Sequence, residues 1–172
     1  WTRLILREDA ISAQSGGVDH LGEPWALPVQ ESKLSTFLSQ DQQWREGDAD
    51  VFLSGQITDA QSRMNVMNLI EDGKVAPAVL ARWAKLFDRL DLPQQEPLTL
   101  VQGLQTALAL TPASPATAPL MPQHTAQLVW LGLSPSTLAA LENFITVLPQ
   151  ATPVNLNTAP AEVLMAVLPR LD

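Results

Sequence analysis

The patterning of the chain changes once, and that change limits the folds open to it. From Asp50 to Asp59 (DVFLSGQITD), Val51, Leu53 and Ile57 alternate with Phe52, Ser54, Gln56 and Thr58. That is the period of a strand with one aliphatic face. After Leu69 the period lengthens, and from Pro77 onward apolar residues recur three and four apart. The change predicts two bodies: a sheet-containing part over residues 1–72 and a helical part over residues 73–172. A length of 172 residues is enough for both to bury a core.

Taken in order, residues 1–14 (WTRLILREDAISAQ) form a helical pattern that Gly16-Gly17 stops. Trp1, Leu4, Ile11 and either Ile5 or Leu6 make its apolar stripe, opposite Arg3, Arg7 and Asp9. Beginning mid-pattern suggests the second half of a longer helix, and an ordinary surface helix fits the pattern equally well. Residues 18–48 read as irregular, with a short extended piece at Trp25–Val29 bounded by Pro24 and Pro28. Asp59–Arg63 reads as a turn, and Met64–Leu69 as an extended stretch or a helix entry.

The helical part opens at Pro77, with Val79, Leu80, Trp83, Leu86, Phe87 and Leu90 on one face. A second helix over Leu98–Leu110 carries Leu100, Val101, Leu104 and Leu108, with Gly103 as its weak point. The run TPASPATAPLMP is too rich in proline for helix or sheet and reads as a loop. Pro122–Leu131 is a short helix closed by Gly132. Ser134 then caps a further helix with Pro135 in its first turn, and Leu138, Leu141, Ile145 and Leu148 repeat until Pro149 ends it.

Two strings alternate asparagine with aliphatic residues: MNVMNL (64–69) and VNLNTA (154–159). The second leads into PAEVL, a helix entry in which Asn157 or Thr158 caps, Pro160 lies near the start and Glu162 meets the positive end of the dipole. Val163, Leu164 and Val167 then face a core. Amides at Asn155 and Asn157 could hold a ligand. The better reading is that they satisfy backbone groups where an extended segment turns into a helix.

Composition removes several function classes. A net charge of −8 and a pI near 4.6 argue against binding the nucleic-acid backbone. Without cysteine there is neither disulfide nor thiolate, and no apolar run reaches bilayer-spanning length. Phosphate-binding glycine loops, HExxH, GxSxG and EF-hand loops are absent from the sequence. His20 and His124 stand far apart without an acid at ligand spacing and read as surface residues. Asp41, Glu46, Asp48 and Asp50 read as a solvated acidic edge. Asp48 and Asp50 with backbone carbonyls would also suffice chemically for calcium, and a hydrolase using them has only their proximity in its favour. The LGLSP junction joins two short helices as in a helix–hairpin–helix unit. It lacks the GxG turn and flanking Lys/Arg of a DNA-binding one, so it reads as a packing element.

Four motifs, in order, resemble the minor pseudopilin K family of the bacterial type II secretion system. A helix ending around Arg7-Glu8-Asp9 resembles the soluble end of the family's long N-terminal helix. Asp19–Ala26 (DHLGEPWA) resembles its D-x-L-x-x-x-W-A segment. Ile57–Leu69, with Asp59, Gln61, Asn65 and Asn68, resembles I-x-D-x-Q-G-R-x-N-L-N-x-L. Thr146–Pro149 followed by Val154–Ala159, with Asn155, Asn157 and Thr158, resembles V-x-x-L-P…N-x-N-T-A. Met67 departs from the usual asparagine and Ser62 from the usual glycine.

The resemblance implies an α+β fold, in which a pilin-like long helix lies on a small antiparallel sheet carrying a large inserted helical domain of helix–hairpin–helix or SAM-like character. That domain would be truncated at its C-terminal side. It further implies a non-catalytic component at the tip of the pseudopilus, in the periplasm of a Gram-negative cell. An N-terminal segment outside this sequence would hold the protein in the inner membrane. Its partners would be other minor pseudopilins, met through Trp1, Leu4, Ile5 and Ile11. No cofactor is expected. The calcium-type loop often found in the family's helical domain has no counterpart here, since DLPQQEP and the proline-rich run occupy its place. The rival class is a helical nucleic-acid module of helix–hairpin–helix type.

Overall fold

The structure, a computed structural model, describes residues 2–11, 17–33, 52–109, 111 and 117–169. The chain divides into two compact units, residues 1–58 and residues 59–172. Residues 59–72, expected with the sheet-containing part, belong instead with the helices. The reason is packing: Met64, Val66 and Leu69 lie in the same core as the helix residues Trp83, Leu86 and Phe87.

In the first unit, α1 spans Thr2–Ile11 and none of its side chains is fully buried. Ile5 and Asp9, one turn apart, are half-buried, while Leu4, Leu6 and Ile11 are exposed. The helix packs against a 3-10 turn at Pro24–Ala26, whose Trp25 is buried. The extended piece expected from Trp25 therefore begins later. Strand β1 (Val29–Lys33) pairs antiparallel with β2 (Phe52–Gly55), Lys33 opposite Phe52 and Ser32 opposite Leu53. The register shifts before Val29 meets Gly55. VQESK lacks apolar alternation, so this strand carries no signal in sequence; its ladder defines it. β2 is also shorter than the Asp50–Asp59 pattern and ends before Ile57. Trp1, Val51, Asp41, Glu46, Asp48 and Asp50 lie outside the described residues.

The second unit opens with a 3-10 turn at Ala60–Ser62, strand β3 (Met64–Asn65) and another 3-10 turn at Val66–Leu69. Both alternatives read for residues 64–69 are thus used. A hairpin of β4 (Ile70–Glu71) and β5 (Lys74–Val75) turns at Asp72 and Gly73, both at positive φ. Helices α2 (Pro77–Arg89) and α3 (Glu96–Leu108) follow, then a 3-10 segment at Thr125–Leu131 and α4 (Pro135–Leu141).

The helix begun at Ser134 does not reach Leu148. It ends at Leu141, and β6 (Ile145–Thr146) pairs parallel with β3, Met64 opposite Ile145 and Asn65 opposite Thr146. The run Ile145-Thr146-Val147 is β-branched and prefers a strand once a partner is at hand. The last element, α5 (Ala161–Val167), packs on α2.

Fully enclosed residues from every helix of the second unit build one core around Trp83, Phe87, Leu100, Leu104, Leu128, Leu141, Ile145 and Val163. Two glycines permit its closest approach. A Cβ on Gly103 would stand 2.8 Å from the Leu131 carbonyl oxygen, and Gly132, at φ 97°, closes its segment beside Thr99. Gly103 is therefore a contact point in α3 and not a break in it.

Candidate functional site

The two asparagine strings of the sequence meet in space. Asn65, buried, accepts from the backbone N–H of Leu148 (3.1 Å) and of Met67 (3.1 Å), and its amide donates to the Gln150 carbonyl (2.7 Å). Asn68 pairs with Thr152 in both directions, donating to its carbonyl at 2.7 Å and accepting from its N–H at 2.9 Å. Each side chain thus imitates a neighbouring strand for a segment that has none.

Asp59 completes the brace. Its Oδ1 accepts from the Gln61 N–H (2.8 Å), and its Oδ2 accepts from Asn155 Nδ2 (3.0 Å) and from Thr158 Oγ1 (2.6 Å). Gln61 takes part through its carbonyl, which accepts from the Asn155 N–H at 2.9 Å. Asn155 Oδ1 in turn accepts from the Asn157 N–H (3.1 Å). The expected roles of Asn157 and Thr158 need correcting. Pro160 precedes α5 and no side chain caps it. Thr158 is spent on Asp59, and the Asn157 side chain is exposed. Asp59, Asn65, Asn68, Asn155 and Thr158 are brought together as structure, each using its polar atoms on another part of the same unit.

The candidate interface residues lie elsewhere. Leu4 and Ile11 share one face of α1, seven residues apart, and are 60% and 72% exposed. Of the two alternatives for the stripe, Ile5 is half-buried like Asp9 and Leu6 is exposed with Leu4 and Ile11; Trp1 lies outside the described residues.

Against the packed side of α1 is a turn marked in the sequence mainly by its tryptophan. Glu23 in this turn is 4% exposed. Its Oε2 accepts from the His20 N–H (2.9 Å) and from Trp25 Nε1 (2.7 Å), while Oε1 is buried with no partner. One carboxylate oxygen from each of Asp9, Asp19 and Glu23 lies within 4.8 Å of the others. Desolvation raises the Asp9 pKa, and the charges of Glu23 and Asp19 add to the rise. The Glu23 pKa is lowered, chiefly by the His20 backbone N–H and then by Trp25. A signal for Glu23 does exist in the sequence: a buried indole N–H needs an acceptor, and Glu23 is two residues before Trp25. His20 and His124 are exposed, as expected; His20 Nδ1 accepts from the Gly22 N–H.

With this geometry in hand, the comparison with known families is decisive. The family described as type II secretion system, protein K, matches residues 62–150, just over half of the chain. The chain belongs to that family.

A relative named Type II secretion system protein K, from Pseudomonas aeruginosa, is 28% identical over 189 aligned positions. The alignment covers 94% of this chain and 51% of the relative, so the chain spans about half the length of that protein K. A chain in the crystal structure of the GspK–GspI–GspJ complex from the enterotoxigenic Escherichia coli type 2 secretion system superposes with a TM-score of 0.66. That match covers 95% of this chain and 62% of the other, at 19% identity, and shows a common fold of helices with small sheets.

Membership in the protein K family sharpens two readings. Residues 91–97 link α2 to α3: Asp91 follows the Leu90 cap of α2 at positive φ, and Glu96 Oε2 accepts from the Ser134 N–H at 3.2 Å. Among the described residues, the group of three carboxylates is Asp9, Asp19 and Glu23, in the other unit. The helix–hairpin–helix reading as a nucleic-acid module is set aside. The N–H groups of Gly132, Leu133 and Ser134, which would have to face a phosphate, bond to Val129, Leu128 and Glu96.

Proposed function

We propose that this chain is the periplasmic part of a minor pseudopilin, a non-catalytic component that assembles with other minor pseudopilins at the tip of the type II secretion pseudopilus. The protein K match over residues 62–150 carries the reading. The brace supports it, because Asp59, Asn65 and Asn68, which carry the motif resemblance, hold other segments of the same unit in place. Anchoring in the inner membrane of a Gram-negative cell follows from the same family reading. Among the described residues no helix is long and apolar enough to cross a membrane. In architectural terms the first unit would be the pilin-like body and the second its inserted helical domain.

The partners we propose are the counterparts of GspI and GspJ, which form a complex with GspK in the related crystal structure. The contact would run through the outward face of α1, where Leu4 and Ile11 leave apolar surface uncovered within the chain. Co-purification with the I- and J-type pseudopilins of the same organism tests this. Leu4→Asp with Ile11→Asp should abolish the complex and leave the circular dichroism of the isolated chain unchanged. A complex that survives both substitutions would remove α1 from the interface.

A further inference from the structure

We propose that Asp9, Asp19 and Glu23 bind a calcium ion that ties the last turn of α1 to the turn carrying Trp25.

Three observations carry this. Calcium takes oxygen ligands at about 2.3–2.6 Å, so oxygens across its shell are roughly 4.6–5.2 Å apart. Carboxylate oxygens that all lie within 4.8 Å of one another are close enough to be drawn into one such shell by small side-chain rotations. The second observation is Glu23. Its side chain is almost wholly enclosed, yet Oε1 has no hydrogen-bond partner, and a buried carboxylate oxygen left so is costly unless a cation meets it. The other oxygen, Oε2, takes two N–H donors that fix the group's orientation. The third is the donor set. His20 Nδ1 is occupied by the Gly22 N–H, so the converging atoms are oxygens, which suit a hard cation and not zinc. Water and backbone carbonyls would complete the shell on the side of Asp19, which is exposed.

Trp25 provides the probe, because its Nε1 is 2.7 Å from Glu23 Oε2. The whole 172-residue chain is titrated with terbium, exciting tryptophan and reading terbium emission, and calcium binding is measured by calorimetry. Saturable calcium binding with a Kd of about 10⁻⁴ M is expected, as for extracellular modules. Calcium should displace the terbium emission, and Trp25→Phe should remove most of that emission with calcium still bound.

Asp19→Asn and Asp9→Asn should each weaken calcium binding by about tenfold or more. Glu23→Gln should abolish it, and the exposed Asp19 decides the matter if that variant does not fold. Asp48→Asn with Asp50→Asn should bind as the parent does. No saturable binding up to about 10 mM calcium overturns the proposal. So does unchanged affinity in the Asp9 and Asp19 variants, or loss of binding in the Asp48/Asp50 variant alone.

Discussion

The two units solve the same problem by opposite means. Residues 59–172 build a core from every helix of that unit, and side-chain amides hold a segment without a strand partner, although Leu98, Leu120, Trp130 and Leu156 stay exposed and Trp83 Nε1 is buried without a hydrogen-bond partner. Among the residues of 1–58 whose side chains are described, Trp25 and Glu23 are buried, and Leu4, Leu6, Ile11, Val18, Leu21, Leu27 and Phe52 are exposed. A unit with a core of that size can be stable alone even with some apolar surface exposed. A unit that displays its apolar side chains has surface left to be covered by something else, and it is there that partner and ion are proposed.

If the contrast is right, the largest losses of stability come from single polar atoms in the second unit. Asn65→Ala leaves two backbone N–H groups and a carbonyl without their partner. It should cost on the order of 3 kcal/mol, read from denaturant melts. A loss below about 1 kcal/mol would mean that water replaces the amide and that the brace is ornamental.

The next effect sharpens the comparison inside one motif. Asn155→Ala should cost about 1–2 kcal/mol, since its amide meets Asp59 and its carbonyl oxygen meets the Asn157 N–H. Asn157→Ala should fall within about 0.5 kcal/mol, its side chain being exposed. Equal effects in thermal melts would contradict the geometry.

In the first unit, Leu4→Lys and Ile11→Lys should each change the stability of the isolated chain by no more than about 0.5 kcal/mol. Unfolding by either would mean that α1 uses that face within its own unit.

The smallest effect is a titration. The Glu23 pKa is lowered, so its contribution is full above the ordinary glutamate range and is lost as pH falls through the lowered value. Asp9, with a raised pKa, acts in the other sense: its charged form is the costly one, and protonation on acidification relieves it first. The Trp25 Nε1–H resonance should report a Glu23 midpoint below the ordinary range. A midpoint at or above it would contradict the hydrogen bonding described for that carboxylate.

Legibility follows the kind of force involved. The helices at Pro77 and Ser134 are readable because burial of one face and a local cap both leave marks within a few residues, as do Ser134 and Pro135. Strand β1 is not, because a ladder between VQESK and FLSG asks nothing of the side chains that periodicity can see. Ile145 reads as helix because four apolar residues at helical spacing outweigh a β-branched run whose partner, Met64, is far away in sequence. The Asp72-Gly73 hairpin carries its dipeptide signal, but strands of two residues are too short to show a period beside it. The asparagines are legible as structural, yet their partners are not, since a single sequence does not say which backbone groups will lack a ladder.

The partners of the brace are also distant in time. Asn65 and Asn68 bond to residues 83 to 85 positions later, and Asp59 to residues 96 and 99 positions later. Closing a loop of that length costs about 4 kcal/mol of chain entropy before any contact rewards it. On the ribosome, Asn65 emerges some 80 residues ahead of the groups it will hold, an interval of several seconds at about 5–20 residues per second. Helices α2 and α3 have that interval to form by local contacts, so the brace is expected to close last in this unit and to show low φ-values in folding kinetics.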